Sequence, residues 1–359
     1  VEEGKVGLDD EVVDSLPGLP QVWRGVKVRH LLALTSGLPE SWGAPGFSAH
    51  EDYTAAELVA LVAGMPLAFR PGERWDYCNT NYVLLAMLIE KASGEGYGDF
   101  LARRIFRPAG MTSTRVNDTR AVIPGRAVGY ERGFGRWTLR DFIAPKLSAN
   151  DGGALLSTAN DLARWDRILW GGALLKVASR DRLWESSTLN DGTPTGFGFG
   201  WNVGQVGGRK AVWKSGGNPG YECHMLRFVD DRLTVIALCN LFPASTARLA
   251  RAIAALYLPG VAEPEESPIE DTDPETTRAI RKALADSLEG DSNPGLFDAE
   301  QRDKLRSFGP LKEFALLGRN RDGDDLVHRY RVTLGDTTLI FNFKKPPGEK
   351  TQVAGVEFP

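Results

Sequence analysis

Pro71-Gly72-Glu73-Arg74-Trp75-Asp76-Tyr77-Cys78-Asn79-Thr80-Asn81-Tyr82 runs straight into an apolar segment that decides how the chain folds. Residues 80–93 are apolar on almost every side, which predicts a buried helix, and Gly94 is a natural stop for it. Upstream, Thr54 with Glu57 three residues on makes a capping box ahead of Leu58, Leu61 and Val62. Downstream, a helix is expected from about Asp99 to Arg107, closed by Pro108. Another starts with Ser157 as N-cap, carries Leu162, Trp165, Ile168 and Leu169, and ends at Gly171-Gly172. From Gly196 the period changes to that of strands: Phe197-Gly198-Phe199-Gly200-Trp201, Ala211-Val212-Trp213, Cys223 to Phe228 and Leu233 to Leu238, with Asp230-Asp231 turning the last two. Residues 245–257 return to a helical pattern. Strands followed by a covering helix predict an α+β domain, an antiparallel sheet flanked by helices.

Between Glu263 and Glu275 lie seven acidic residues, three prolines and no base, the composition of a solvated linker. This divides the chain into a first domain over 1–258, a linker over 259–276 and a small α+β domain over 277–359. In the last, Thr276–Leu288 reads as a helix. Leu326, His328, Tyr330, Val332 and Leu334 share one strand face, Leu339, Phe341 and Phe343 share one face of the next, and Gly335-Asp336 turns between them. With 359 residues the chain can bury a large core without staples. Lys plus Arg (43) against Asp plus Glu (47) gives −4, so no basic excess invites nucleic acid or anionic membrane. No apolar run reaches the roughly eighteen residues of a transmembrane helix. Three cysteines are too few and odd for a disulfide framework.

Several chemistries are set aside by spacing. Histidines at 30, 50, 224 and 328 offer no paired metal ligands, so no metal or cofactor is expected. Gly208 to Ser215 places Trp213 where a phosphate loop needs glycine, and no Gly-x-Ser-x-Gly or dinucleotide fingerprint occurs. Five segments remain, in order: Arg29-His30-Leu31-Leu32-Ala33-Leu34-Thr35-Ser36-Gly37-Leu38, the Pro71–Tyr82 stretch, Pro108-Ala109-Gly110-Met111, Gly152-Gly153-Ala154 through Ala163, and Trp213-Lys214-Ser215-Gly216-Gly217-Asn218-Pro219-Gly220-Tyr221. Together, over about residues 1–258, they resemble the serine β-lactamase and penicillin-binding-protein superfamily, in particular class C β-lactamase-like esterases and D-amino-acid peptidases.

That resemblance implies a β-lactamase/transpeptidase-like fold and acyl transfer through a serine nucleophile, on an ester, amide or peptide, with a small molecule or peptide as substrate. Acyl transfer needs a nucleophile, a base and donors for the oxyanion. Tyr77-Cys78-Asn79 matches the family's Tyr-x-Asn element: Tyr77 is then a proton relay, and Asn79, which both donates and accepts, binds substrate. Lys214-Ser215-Gly216 matches Lys-Thr/Ser-Gly: Lys214 is the cation of the site, Ser215 and Gly216 contact substrate, and the Gly217 N–H is an oxyanion donor. Ser148-Ala149-Asn150 is a rival second element, ranked below Tyr77-Cys78-Asn79. A periplasmic or secreted location follows from the resemblance alone.

The family's Ser-x-x-Lys is absent: no serine of this chain has lysine three positions on. In the family that motif precedes a segment like Val1 to Asp10, so the nucleophile, its lysine and N-terminal sheet strands are expected upstream of Val1, the sheet is expected to have an exposed edge, and the chain alone is expected to be inactive. A non-catalytic binding protein with the cleft retained is the alternative. Cys78 reads as an inert buried thiol. His30 is expected to pack or cap within its helix, and His224 has no carboxylate partner evident in sequence. Trp75 and Trp213 read equally as cleft walls or core.

Overall fold

The computed structural model describes residues 1–118, 120–133, 136–140, 143, 144, 147, 155–263, 267–289, 296, 297, 299–322, 325–345 and 352–357. The N-terminal part of the chain opens with helices, among them α1 (Val28–Ala33), α2 (Ala55–Val62) and α3 (Asn79–Ser93). The capping box of α2 forms as expected: the Glu57 N–H donates to Thr54 Oγ1 at 3.2 Å and the Thr54 N–H to Glu57 Oε2 at 2.8 Å. Gly94 closes α3 at φ 73°. Val83, Leu84 and Leu88 of α3 pack with Leu58 and Val62 of α2, Leu31 of α1 and Trp23 in one core.

At the start of α1 the Lys27 N–H donates to His30 Nδ1 at 3.1 Å, so the histidine caps its own helix. Burial and the neighbouring Arg29 and Lys27 cations push its pKa down to about 4. Between about pH 6.5 and pH 4 the unfolded chain therefore takes up a proton that the folded chain refuses, and stability falls as pH drops through that window. Urea midpoints measured across it should decline in the parent chain, with a shallower decline in His30→Gln.

Two helix boundaries differ from the sequence reading. The helix expected from Asp99 starts at Tyr97, runs to Leu101 and continues as a π-turn over Ala102–Phe106. The helix α4 (Ala159–Gly171) is capped by Thr158, whose side chain accepts from the Asp161 N–H, not by Ser157, whose hydroxyl instead meets Thr114 Oγ1 at 2.9 Å. The segment Ser148-Ala149-Asn150 and residues 152–154 lie outside the described residues.

The main sheet is antiparallel, with β1 (Asn202–Val206), β2 (Arg209–Asn218), β3 (Tyr221–Phe228) and β4 (Leu233–Cys239) neighbouring one another in that order. Phe197 to Trp201 is not the strand that its alternation suggests. Gly196 and Gly200 take φ 70° and 84°, which breaks a ladder, and Phe197 alone bridges to Asn202. One sheet face carries Ala211, Leu226, Phe228, Val235 and Ala237 beneath Ala250 and Ala254 of α5 (Thr246–Ala255). The other packs Val212 and Met225 against Leu169 of α4, Trp184 and Trp201. On this second face Arg227 is fully buried. Its guanidinium lies 4.7, 5.1 and 5.7 Å from the ring centroids of Trp184, Trp170 and Trp201 and is paired with Asp166.

Further along the chain, α6 (Pro274–Glu289) starts two residues earlier than expected, with proline at its first position and Asp273 accepting from the Thr276 N–H. Four strands then form an antiparallel meander: β5 (Leu311–Asp322), β6 (Asp325–Leu334), β7 (Thr337–Lys345) and β8 (Gln352–Glu357). Tyr330, Val332, Leu334, Leu339, Phe341 and Phe343 form the expected inner face and bury Ile280 and Leu284 of α6. Gly335, at φ 53°, begins the two-residue turn between β6 and β7. Among the described residues no helix is long and apolar enough to cross a membrane.

Candidate active site

Tyr77, Cys78 and Asn79 form the entry to α3, and Lys214 comes from β2. The fold brings them together. Lys214 Nζ sits 5.1 Å from the ring centroid of Tyr77, 5.1 Å from Phe197 and 5.6 Å from Tyr82, and donates to the Tyr82 hydroxyl at 3.4 Å. Burial lowers the ammonium's pKa, while three aromatic faces return part of the lost hydration energy. Burial also pushes the Tyr82 phenol up, as does its neighbour Tyr77. Tyr77 itself is 47% exposed, with its hydroxyl donating to Asn79 Oδ1 at 3.2 Å. A wet phenol beside a half-dehydrated cation is suited to passing a proton.

Asn79 is fixed from the other side. Cys78, the N-cap, offers no side-chain bond to the helix. One orphan donor is met instead by Glu40, whose Oε2 accepts from the Asn79 N–H at 2.8 Å and also from the Asn79 side-chain Nδ2 at 3.2 Å. The other oxygen of Glu40 accepts from the Trp42 N–H at 2.8 Å. Cys78 points inward, its thiol donating to the Pro39 carbonyl at 3.6 Å, and burial drives its pKa up to about 11. It is buried at 5% exposure and packs in the core, as expected for a small apolar side chain.

The third element is set by strand register. Lys214 faces Met225, Ser215 faces His224, Gly216 faces Cys223 and Gly217 faces Glu222 across β2 and β3. On the other side β1 stops opposite Trp213, so among the described strands Lys214 to Asn218 pair with β3 alone. That leaves an open strand edge beside Lys214, exposed from Ser215 to Asn218, on which an extended acyl group can lie. Glycine at 216 fits a tight spot, because a Cβ there would meet Cys223 Sγ at 3.0 Å. Gly217 lies beneath the Phe242 ring. Trp213 belongs to the core under α5, whereas Trp75 tilts against Phe197, 5.7 Å away, at the rim of the site.

Four residues of this cluster received no role from the sequence. Tyr82 and Phe197 complete the aromatic slot, Glu40 anchors Asn79, and the buried His224 meets the Ser215 hydroxyl at 2.8 Å. The missing side-chain cap at Cys78 is the one sequence signal that called for a distant carboxylate.

An antiparallel sheet flanked by helices, with a Tyr-x-Asn helix entry facing a Lys-Ser-Gly strand, defines the class of the active-site serine β-lactamases and penicillin-binding proteins. The chain belongs to that family: the Beta-lactamase family matches residues 1–258. It is 36% identical over 258 residues to a penicillin-binding protein of Bacillus subtilis, an alignment covering 67% of this chain and 56% of that protein. The chain spans about half the length of the curated relatives it matches. Among solved structures, the D-stereospecific amidohydrolase from Streptomyces sp. is 27% identical with TM-score 0.61, covering 71% of this chain and 80% of that one. The octameric penicillin-binding protein homologue from Pyrococcus abyssi, 22% identical with TM-score 0.64, shares the fold across 100% of this chain and 82% of its own.

Proposed function

We propose that this chain supplies the proton-relay and substrate-binding half of a serine hydrolase that acts on amides, peptides or esters through an acyl-enzyme. In this reading Tyr77 relays the proton, and Lys214 holds the local positive charge and helps orient Tyr77. Asn79, Ser215 and Gly216 bind substrate, and the Gly217 N–H faces the oxyanion. The observation that carries it is the Lys214 ammonium held between the Tyr77, Tyr82 and Phe197 rings, next to the Tyr77–Asn79 hydrogen bond. A lone solvated lysine has no need of such a slot. The likeness to a D-stereospecific amidohydrolase supports an amide as substrate.

The test compares this chain with a form that includes the coding sequence upstream of Val1, using a β-lactam probe and mapping the acylated residue. The extended form should acylate on a serine followed three positions later by lysine, at least about 100-fold faster than the chain starting at Val1. An upstream frame with no Ser-x-x-Lys and no acylation would overturn the proposal in favour of a binding protein.

A further inference from the structure

We propose that Ser215 and His224 form a second nucleophilic pair, one that acylates on Ser215 with activated esters and fluorophosphonates independently of any Ser-x-x-Lys element. The two side chains are direct cross-strand neighbours in β2 and β3, and Ser215 Oγ lies 2.8 Å from His224 Nδ1. A nucleophile and base within hydrogen-bond reach, both on paired strands, have the geometry that activates a hydroxyl. Ser215 is exposed at the open edge of β2, so an acyl group has access, while His224 is only 5% exposed and its ring is held in place. Burial keeps the imidazole neutral and thus able to take a proton. Glu222, two residues away on the same face of β3, offsets part of that burial and favours the imidazolium once formed. Its oxygens already accept from the Ala244 N–H at 2.9 Å and Thr246 Oγ1 at 2.7 Å, so it acts on His224 through its charge.

With His224 carrying its hydrogen on Nε2, the step balances as follows. Ser215 Oγ forms a bond to the ester carbonyl carbon and gives its proton to Nδ1. The ester C–O bond breaks, and the departing oxygen takes that proton from Nδ1. Water then attacks the acyl carbon, gives a proton to Nδ1, and that proton returns to Ser215 Oγ as the acid leaves. With a fluorophosphonate the first step forms an Oγ–P bond and expels fluoride, and the adduct persists. Ser215 and Lys214 point to opposite faces of β2, so the Ser215 side chain lies apart from the slot around Lys214, and in the function proposed above Ser215 meets substrate through its backbone on the strand edge.

The experiment treats this chain, without upstream residues, with a fluorophosphonate probe and maps the adduct by peptide mass spectrometry. The expected result is an adduct on Ser215 that is absent from Ser215→Ala and from the urea-unfolded chain, and that forms at least tenfold more slowly in His224→Gln. No adduct on Ser215, or one forming equally fast in His224→Gln, overturns the proposal. Should His224→Gln fail to fold, Ser215→Cys in the otherwise native chain decides: its thiol should react with iodoacetamide at neutral pH at least tenfold faster folded than unfolded, and no enhancement overturns the pairing. The probe and the adduct position keep this outcome distinct from acylation by an upstream serine.

Discussion

Asp166→Ala should destabilise the fold around the main sheet by about 3–5 kcal/mol, the usual cost of stranding one member of a buried ion pair. Arg227 has no exposed surface, and its Nε and Nη1 have no hydrogen-bond partner among the described residues. Its charge is balanced by Asp166, which also accepts from Thr234 Oγ1 at 2.8 Å. The faces of Trp170, Trp184 and Trp201 ease the burial but cannot replace a carboxylate. Asp166→Asn, which keeps an acceptor and loses the charge, should fall between. Urea unfolding followed by tryptophan emission measures both. A loss below about 1 kcal/mol for the alanine variant would show that the rings alone carry the cation.

The second large effect concerns Lys214. In the form extended upstream of Val1, Lys214→Met should slow acylation by about 10²–10³-fold, because methionine fills the slot between the rings but brings no charge. Binding of an uncharged ester should change little, so the loss belongs in kcat. The same reading gives a sign with pH: burial lowers the ammonium's pKa, so acylation should fall on the alkaline side sooner than an ordinary lysine would dictate. Pre-steady-state acylation across that range checks both, and an unchanged rate in Lys214→Met would remove Lys214 from the mechanism.

Much of this was legible in the sequence because the signals were local. The Thr54–Glu57 box, the mostly apolar helix after Asn79 and the stop at Gly94 each depend on residues a few positions apart and form where expected, although that helix is buried on one side only, with Glu90 and Lys91 exposed. The two-residue turn at Gly335-Asp336 and the inner faces of β6 and β7 follow from period-two patterning for the same reason. What sequence could not give was set by long-range packing. The alternation in Phe197 to Trp201 resembles a strand, but Gly198 passes so close to the Leu183 carbonyl that a Cβ would sit 2.2 Å from it, and the segment turns there. Phe197 thereby reaches Lys214. Glu40 meets Asn79 across 39 positions, and Ser215 meets His224 only because β2 and β3 pair in one register out of several. Motif order pointed to the candidate site, and register supplied the neighbours of its residues.

The open edge of β2 also bears on how the protein behaves when concentrated. An unpaired strand edge is a template for any extended chain, including another copy of the same protein, and so a seed for aggregation. Here the edge is short: it begins at a lysine, passes through two glycines that pair weakly with a neighbouring strand, and is followed by Pro219, which has no N–H to donate. Such an edge resists growth into a continuous intermolecular sheet. The lysine, the two glycines and Pro219 thus limit pairing with other chains at this edge.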